Sequence, residues 1–349
     1  MTSRFEHDMP SPFGQMPPAP ARHRLDLLTN PFGPADAVTD AIANLDSTAW
    51  LLPPEEQEAE LRLRLGRLAG VPASWVTLAN GIDELHAMIA AWRGTAGPLV
   101  LFPPTDPGLT HWLQAHADQV ESIPRGPHFA VPVIAEGGTL PRGSTAVVMS
   151  PNDPTGTILH AHEAVRLSRQ CTFLVVDERH GGYSPRTAIP LAREFENVIV
   201  LQTFETWASL PALPLAWAIA PPQVTRELAR FGRPSGIARL PIVAALATLH
   251  DYDAVRLSLR RVMSEKGRLF RQMRKLSMVS PPYPSWANFL LLRVERGTAD
   301  FFVPRLHDLG VEVFPVANPE LPNHFRASAV SADATNALKH ALIELALEV

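Results

Sequence analysis

Between residues 75 and 222, short apolar runs alternate with stretches of helical spacing. WVTLANG (75–81) reads as a strand ending in a turn, and IDELHAMIAAWRG (82–94) as the helix that follows it. PLVLFPP (98–104) is a strand and GLTHWLQAHAD (108–118) a helix. STAVVMSPNDPTG (144–156) is a buried strand running into a Pro/Asn/Asp/Gly loop, and HEAVRLSRQ (162–170) is a helix. CTFLVVDERH (171–180), VIVLQTF (198–204) and LAWAIAPP (215–222) are further strands. Short apolar strands separated by helices predict a mainly parallel sheet covered on both faces, hence an α/β fold. In such sheets ligands sit beyond the carboxyl ends of the strands. The polar turns at 80–83, 105–106, 152–156, 177–180 and 205–206 all fall at that edge.

The flanks extend the pattern. Residues 35–46 have helical apolar spacing, and 55–70 form an amphipathic helix whose acidic first turn suits the helix dipole. From 224 onward two long helical stretches appear, TRELARFGRPSGIARLPIVAALATLHD and YDAVRLSLRRVMSEKGRLFRQMRKL. WANFLLLRV (286–294) then reads as a strand, ADFFVPRLHDLG as a helix, VEVFPV and HFRASAV as strands, and ADATNALKHALIELALEV as a closing helix. That order predicts a smaller α+β domain. The expected organisation is a proline-rich arm at 1–32, a large domain at 33–248 and a small domain at 249–349.

A chain of 349 residues with 46% hydrophobic and 19% charged residues has ample material for a core. The net charge of −4, with no basic run and no interleaved aromatics, points away from nucleic acid and from membrane surfaces. No apolar run reaches transmembrane length. The single cysteine, Cys171, lies in an apolar run and reads as a buried small hydrophobe. One cysteine forms no internal disulfide, which suits a reducing, cytoplasmic setting. The only lysines are Lys266, Lys275 and Lys339.

NPFGP (30–34), ELRLRLGRLAG (60–70), LANGIDEL (78–85), PPTDPG (103–108), SPNDPTG (150–156), VVDERH (175–180), LQTFETWA (201–208), WANFLL (286–291) and FRAS (325–328) occur in one order along the chain. That ordered set resembles the fold type I aminotransferases that use pyridoxal phosphate, nearest to the histidinol-phosphate aminotransferase and threonine-phosphate decarboxylase group. The resemblance covers about residues 25–349. It implies a large domain built on a mainly parallel seven-stranded-type sheet, a smaller C-terminal α+β domain and a dimer.

The resemblance also assigns positions. The family lysine that forms the Schiff base matches Thr206, with Glu205 where a small hydroxyl residue is usual. The carboxylate for the pyridine nitrogen matches Asp177. The asparagine and tyrosine for the ring hydroxyl match Asp153 and His180, and the stacking aromatic matches Asp106. The phosphate turn matches Asn80-Gly81-Ile82, the basic residue after the lysine matches Pro214, and the partner's tyrosine matches Leu52. The substrate-carboxylate arginine matches Arg326, and a second arginine matches Phe314. With so many contacts changed, the expectation is that ordinary transamination is lost and no cofactor is bound. Pyridoxal phosphate or pyridoxamine phosphate enters only if the altered phosphate side still holds it.

Three readings of the cleft stay open. Asp106, Asp153, Asp177, Glu178, Glu205 and His180 could converge to bind an amine, a guanidine or a divalent metal. Asp177, Glu205 and a His180 of near-neutral pKa could run acid–base chemistry without a cofactor. The carboxylates could instead face water or pair with Arg179 and other arginines. Arg326, Asp153, Asp106, Thr206, Asn80, Trp207 and Asn288 are the candidate ligand contacts, and Trp207 could fill the cofactor's volume. Metal binding by His160 to Glu163 lacks a zinc spacing, and a helix-start cap is the plainer reading. The expected role is to bind an amino-acid-like or cationic ligand, Arg326 taking its carboxylate and the acidic cluster its cation; the alternatives are a non-catalytic dimerisation partner of an intact homologue and a cofactor-independent enzyme. The expected partners are a small-molecule ligand and a second subunit, either an identical copy or an intact homologue.

Overall fold

The computed structural model describes residues 23–132, 140–233 and 236–348. The arm expected at 1–32 lies outside the described residues up to residue 22.

β1 (His23–Arg24) opens the described chain, followed by α1 (Asp36–Ala43), α2 (Glu55–Ala69), β2 (Val76–Ala79) and α3 (Ile82–Arg93). Next come β3 (Leu99–Leu101), α4 (Pro107–His116), β4 (Val120–Ser122), β5 (Thr145–Met149), α5 (Ala161–Ser168), β6 (Phe173–Asp177) and α6 (Ile189–Glu194). β7 (Val198–Thr203), β8 (Ala216–Ile219), α7 (Pro222–Ala229) and α8 (Arg239–His250) complete the large domain. Its seven strands lie in the order β2-β8-β7-β6-β5-β3-β4. β8 runs antiparallel to both neighbours, and the other pairs are parallel.

The period of two along each strand divides the core. Ala146, Val148, Leu174, Val176, Val198 and Val200 face a layer with Leu61 and Leu65 of α2, Leu167 of α5 and Ile242 of α8. Val147, Met149, Val175, Ile199 and Leu201 face Leu85 and Ile89 of α3, Leu113 of α4 and Leu228 of α7. Full burial of such a side chain contributes roughly 1.5–3 kcal/mol. With both faces covered, the strands read as continuous apolar runs.

The small domain holds α9 (Tyr252–Met273), β9 (Phe289–Arg293), α10 (Ala299–Asp308), β10 (Val311–Glu312), β11 (Phe314–Pro315), β12 (His324–Ser328) and α11 (Ala332–Leu345). β11, β12 and β9 form an antiparallel sheet, and β1 pairs with β10 in parallel. α9 joins the two cores: Val255, Leu259 and Val262 pack in the first, Leu269 and Met273 in the second. The expected limit at 248–249 falls inside α8.

Three local expectations differ. The long helix expected after 224 is two helices, Pro222–Ala229 and Arg239–His250. VEVFPV is split, since β10 pairs with β1 while β11 pairs with β12. β4 carries Glu121 and an exposed Ser122 and has no fully buried residue, so it lacks the apolar signal of its neighbours. It is the outer strand beside β3, where charge is tolerated.

Candidate functional site

β6 ends on Asp177, which has no solvent exposure. The chain turns at once, and the Arg179 N–H donates to Asp177 Oδ1 at 2.9 Å. The Arg179 side chain folds back across the strand ends. Its Nε and Nη2 donate to Asp177 Oδ2 at 3.0 and 2.8 Å, and its Nη1 donates to Asp106 Oδ2 at 2.9 Å. Asp106 is the N-cap of α4, with its other oxygen accepting from Gly108 N at 2.9 Å. His86, on the buried face of α3, places Nε2 3.1 Å from Asp177 Oδ2, without the alignment of a hydrogen bond. Burial alone would raise the Asp177 pKa. The Arg179 guanidinium and His86 outweigh it and hold that carboxyl well below its usual range. Burial likewise works against Arg179, but Asp177 and Asp106 raise its pKa further.

Arg326 lies in β12, opposite Leu291 of β9 and Phe314 of β11. It is 3% exposed. Its Nη1 donates to Asp153 Oδ2, and its Nη2 donates to the Asp26 carbonyl at 2.9 Å. The guanidinium carbon sits 4.1 Å from the Phe314 ring centre and 5.4 Å from that of Phe289. Asp153 lies in the loop after β5, which Asn152 fixes. Asn152 accepts from Thr105 Oγ1 and Arg125 Nη2, and donates to the Pro104 carbonyl and Thr155 Oγ1. Burial raises the Asp153 pKa against the pull of Arg326.

His180 packs edge-on against Phe289, with ring centres 5.6 Å apart. Neither ring nitrogen has a partner, and burial with the nearby Arg179 pushes its pKa down to about 3. The expectation that His180 titrates near neutral pH is therefore corrected: a buried, cation-flanked ring stays uncharged through the physiological range. Asn288 donates to the Leu28 carbonyl at 2.9 Å, and its Oδ1 has no partner. Asp153 Oδ1 and Arg326 Nε are also buried and unpartnered.

Glu205 follows β7. It accepts from the Ile82 N–H at 3.1 Å and from Thr203 Oγ1 at 2.9 Å, so its carboxylate lies at the N-terminus of α3. Gly81 precedes that helix at φ +93°. A Cβ there would lie 3.0 Å from Pro214 Cβ and 3.1 Å from Glu205 Oε1, which explains the glycine. Burial raises the Glu205 pKa against those two hydrogen bonds. Thr206 donates its hydroxyl to the Arg179 carbonyl, and its own carbonyl accepts from Asn30 N at 2.9 Å. Asn80 turns to Glu84 and to the segment at Gly236 and Ala238.

Two expected members lie elsewhere. Glu178, next to Asp177 in sequence, points to the opposite side of the sheet edge. There it accepts from Thr187 Oγ1 at 2.7 Å, Ala188 N at 2.5 Å and Gln202 Nε2 at 2.9 Å. It lines a separate cavity of about 270 Å³ with Val176, Arg186 and Leu191. Alternation along the chain is the reason. Trp207 packs in the core against Phe204 and Tyr252, tight over Gly182, and does not fill the cleft. His160 and Glu163 start α5, with the His160 N–H donating to Glu163 at 2.7 Å. Among the described residues no group of three or more His, Cys, Asp or Glu side chains could hold a metal ion.

Sequence reasoning missed His86 and Arg125. His86 stands one helical turn after Ile82, so its spacing put it on the face toward the strand ends. Arg125 gave no signal. It lies between described elements, donates to the Phe102 and Phe129 carbonyls and to Asn152, and has its pKa pushed down to about 10 by burial. Lys266, on α9, donates to the Ser285 carbonyl at 2.6 Å, and burial lowers its pKa to about 8.

The family model for aminotransferase class I and II matches residues 30–344. A histidinol-phosphate aminotransferase of Dehalococcoides mccartyi is 24% identical over 92% of this chain and 90% of its own length. One from Roseiflexus castenholzii is 30% identical over 79% of this chain and 76% of its own. The solved histidinol-phosphate aminotransferase of Sinorhizobium meliloti, in complex with pyridoxal-5'-phosphate, superposes with a TM-score of 0.82 at 22% identity. That match covers 93% of this chain and 91% of the other. These findings correct the expectation that no cofactor goes with this chain, since its relatives are aminotransferases and a solved neighbour carries pyridoxal phosphate.

The side chains as they stand do not fit that group. Glu205 sets a carboxylate against the first N–H of α3, in the turn where the resemblance puts the phosphate. Arg179 fills the gap between Asp177 and Asp106, where the resemblance puts the ring. Both would have to move to seat it. The sheet order, the domain pairing and a family match over residues 30–344 agree, and the chain belongs to the class I and II aminotransferase family.

Proposed function

We propose that this aminotransferase-family protein serves amino-acid-related metabolism by binding a small amine-bearing molecule where its two domains meet, without Schiff-base chemistry from an amine at the end of β7. The carrying observation is the set of buried, unpartnered polar atoms round the Asp153–Arg326 pair: both ring nitrogens of His180, Asp153 Oδ1, Asn288 Oδ1 and Arg326 Nε. An unsatisfied buried polar atom costs about 1–3 kcal/mol, so a ligand that pairs them regains that free energy. Asp153 and Asn288 offer oxygen acceptors, which favours N–H or O–H donors on the ligand. Neutral His180 pairs with either kind of group.

Thr206 supports the non-covalent part of the reading. It offers a hydroxyl already committed to the Arg179 carbonyl. The relatives' names, histidinol-phosphate aminotransferases, support an amino-acid-related amine. Thermal unfolding with histidinol and simple alkylamines tests the proposal. A saturable rise in Tm for the intact protein, lost in His180→Phe and in Asn288→Ala, is expected. No shift at millimolar amine would contradict it.

A second reading concerns the partner. Trp50, Leu51 and Leu52 are 64%, 78% and 69% exposed in one run. Contiguous apolar exposure of that kind favours a docked chain, and we assign it to a second copy in a cytoplasmic homodimer. Sedimentation of Leu51→Asp checks this: the variant should run as a monomer at concentrations where the parent does not.

A further inference from the structure

The contact between Asp153 and Arg326 is a single-point one. Arg326 has five N–H donors in a planar fork, a shape that matches a carboxylate through two parallel bonds. Here only Nη1 reaches Asp153, through Oδ2. Nη2 is used by the Asp26 carbonyl, and both Nε and Asp153 Oδ1 are left without partners. The guanidinium is meanwhile held by packing, 4.1 Å from the Phe314 ring centre and 5.4 Å from that of Phe289. Asp153 has little freedom to improve the fit, because it lies between the anchored Asn152 and Pro154 in a fully buried loop. A fixed, aromatic-flanked guanidinium that meets a carboxylate through Nη1 and keeps Nε without a partner has the features of a carboxylate receptor, and the chain itself supplies the carboxylate.

We propose that Asp153 is a specificity determinant, an internal stand-in for a ligand carboxylate that occupies Arg326 and turns the domain junction away from carboxylate-bearing molecules. It rests on the reading of that junction as a ligand site and narrows it to amines without a carboxylate. The same pattern recurs at the strand ends, where Arg179 bridges Asp177 and Asp106 and Glu205 meets the N-terminus of α3. In each place a charge that could recognise an outside ion is matched from within. Only at Arg326 are both partners left with a free atom.

Replacing Asp153 by alanine removes a group the size of formate, so formate is the probe. Thermal unfolding of the full chain is followed in formate for the parent, Asp153→Ala, Asp153→Asn and the double variant Asp153→Ala/Arg326→Gln. Formate should raise the Tm of Asp153→Ala by about 2–4 °C, saturably. It should leave the parent unchanged, and Asp153→Asn as well, since the amide keeps the space filled. The double variant should not respond. Equal responses in parent and Asp153→Ala, or a response that survives loss of Arg326, would overturn the proposal. If Asp153→Ala does not fold in buffer, the yield on refolding with and without formate is compared, and equal yields overturn it. Amine binding by the parent is measured separately, so failure of the proposed function and failure of this inference give different results.

Discussion

Asp177 and Glu178 are neighbours at the end of β6, both almost wholly buried, yet the fold treats them in opposite ways. On one side Asp177 meets the Arg179 guanidinium and His86, which hold it ionised. On the other, Glu178 meets only neutral donors, from Thr187, Ala188 and Gln202. Hydrogen bonds from neutral groups do not offset its desolvation, and its pKa is pushed up to about 7. Of these two neighbouring carboxylates, the one that meets a guanidinium is held below its usual range, and the one that meets only neutral donors is pushed above it.

The largest effect expected from this contrast is at Arg179. Arg179→Gln leaves Asp177 and Asp106 without their shared cation, and should cost about 3–5 kcal/mol of stability in urea unfolding at neutral pH. A loss below about 1 kcal/mol would mean that the two carboxylates do not depend on it.

pH sharpens the comparison. Glu178 has a folded pKa above its unfolded value of 4.5. Its contribution is therefore fully present below about pH 4.5 and is lost as pH rises through about 7, by about 2–3 kcal/mol. Relative to Glu178→Gln, the parent should lose stability between pH 5 and pH 8, with both followed by urea midpoints. Asp177 has a folded pKa below its unfolded value of 3.8, so its contribution is present above that value and fades as pH falls further. Relative to Asp177→Asn, the parent should lose its advantage only under acid. Two adjacent residues should thus show slopes of opposite sign.

The smallest effect is at the turn after β7. Thr206→Val removes the hydroxyl bond to the Arg179 carbonyl and should cost about 1 kcal/mol, again by urea unfolding.

The sheet was legible because β5, β6 and β7 are buried on both faces, and burial writes itself as short, Val-rich apolar runs. The ordered turns carried the family. What the turns do with their charges was less legible. Asp106, Asp153, Asp177 and Glu205 are all near the strand ends, but the sequence does not say that one arginine bridges two of them or that Glu205 lies against α3. That depends on the backfolding of Arg179, a side-chain conformation with no sequence period. Glu178 was placed with the others because it adjoins Asp177, although alternation at a strand end sends it away. The loss of most cofactor contacts, with Asp177 and Arg326 kept, rests on residue identities alone, and the relatives correct the conclusion drawn from it about the cofactor.

The most direct test of the account titrates the purified protein with pyridoxal phosphate, followed by absorbance, borohydride reduction and peptide mass analysis. The account predicts no saturable Schiff-base band and no stoichiometric pyridoxyl group on a lysine peptide, whatever non-covalent binding is seen. A stoichiometric pyridoxyl group on Lys266, whose pKa is lowered to about 8, would contradict it and place the working amine on α9.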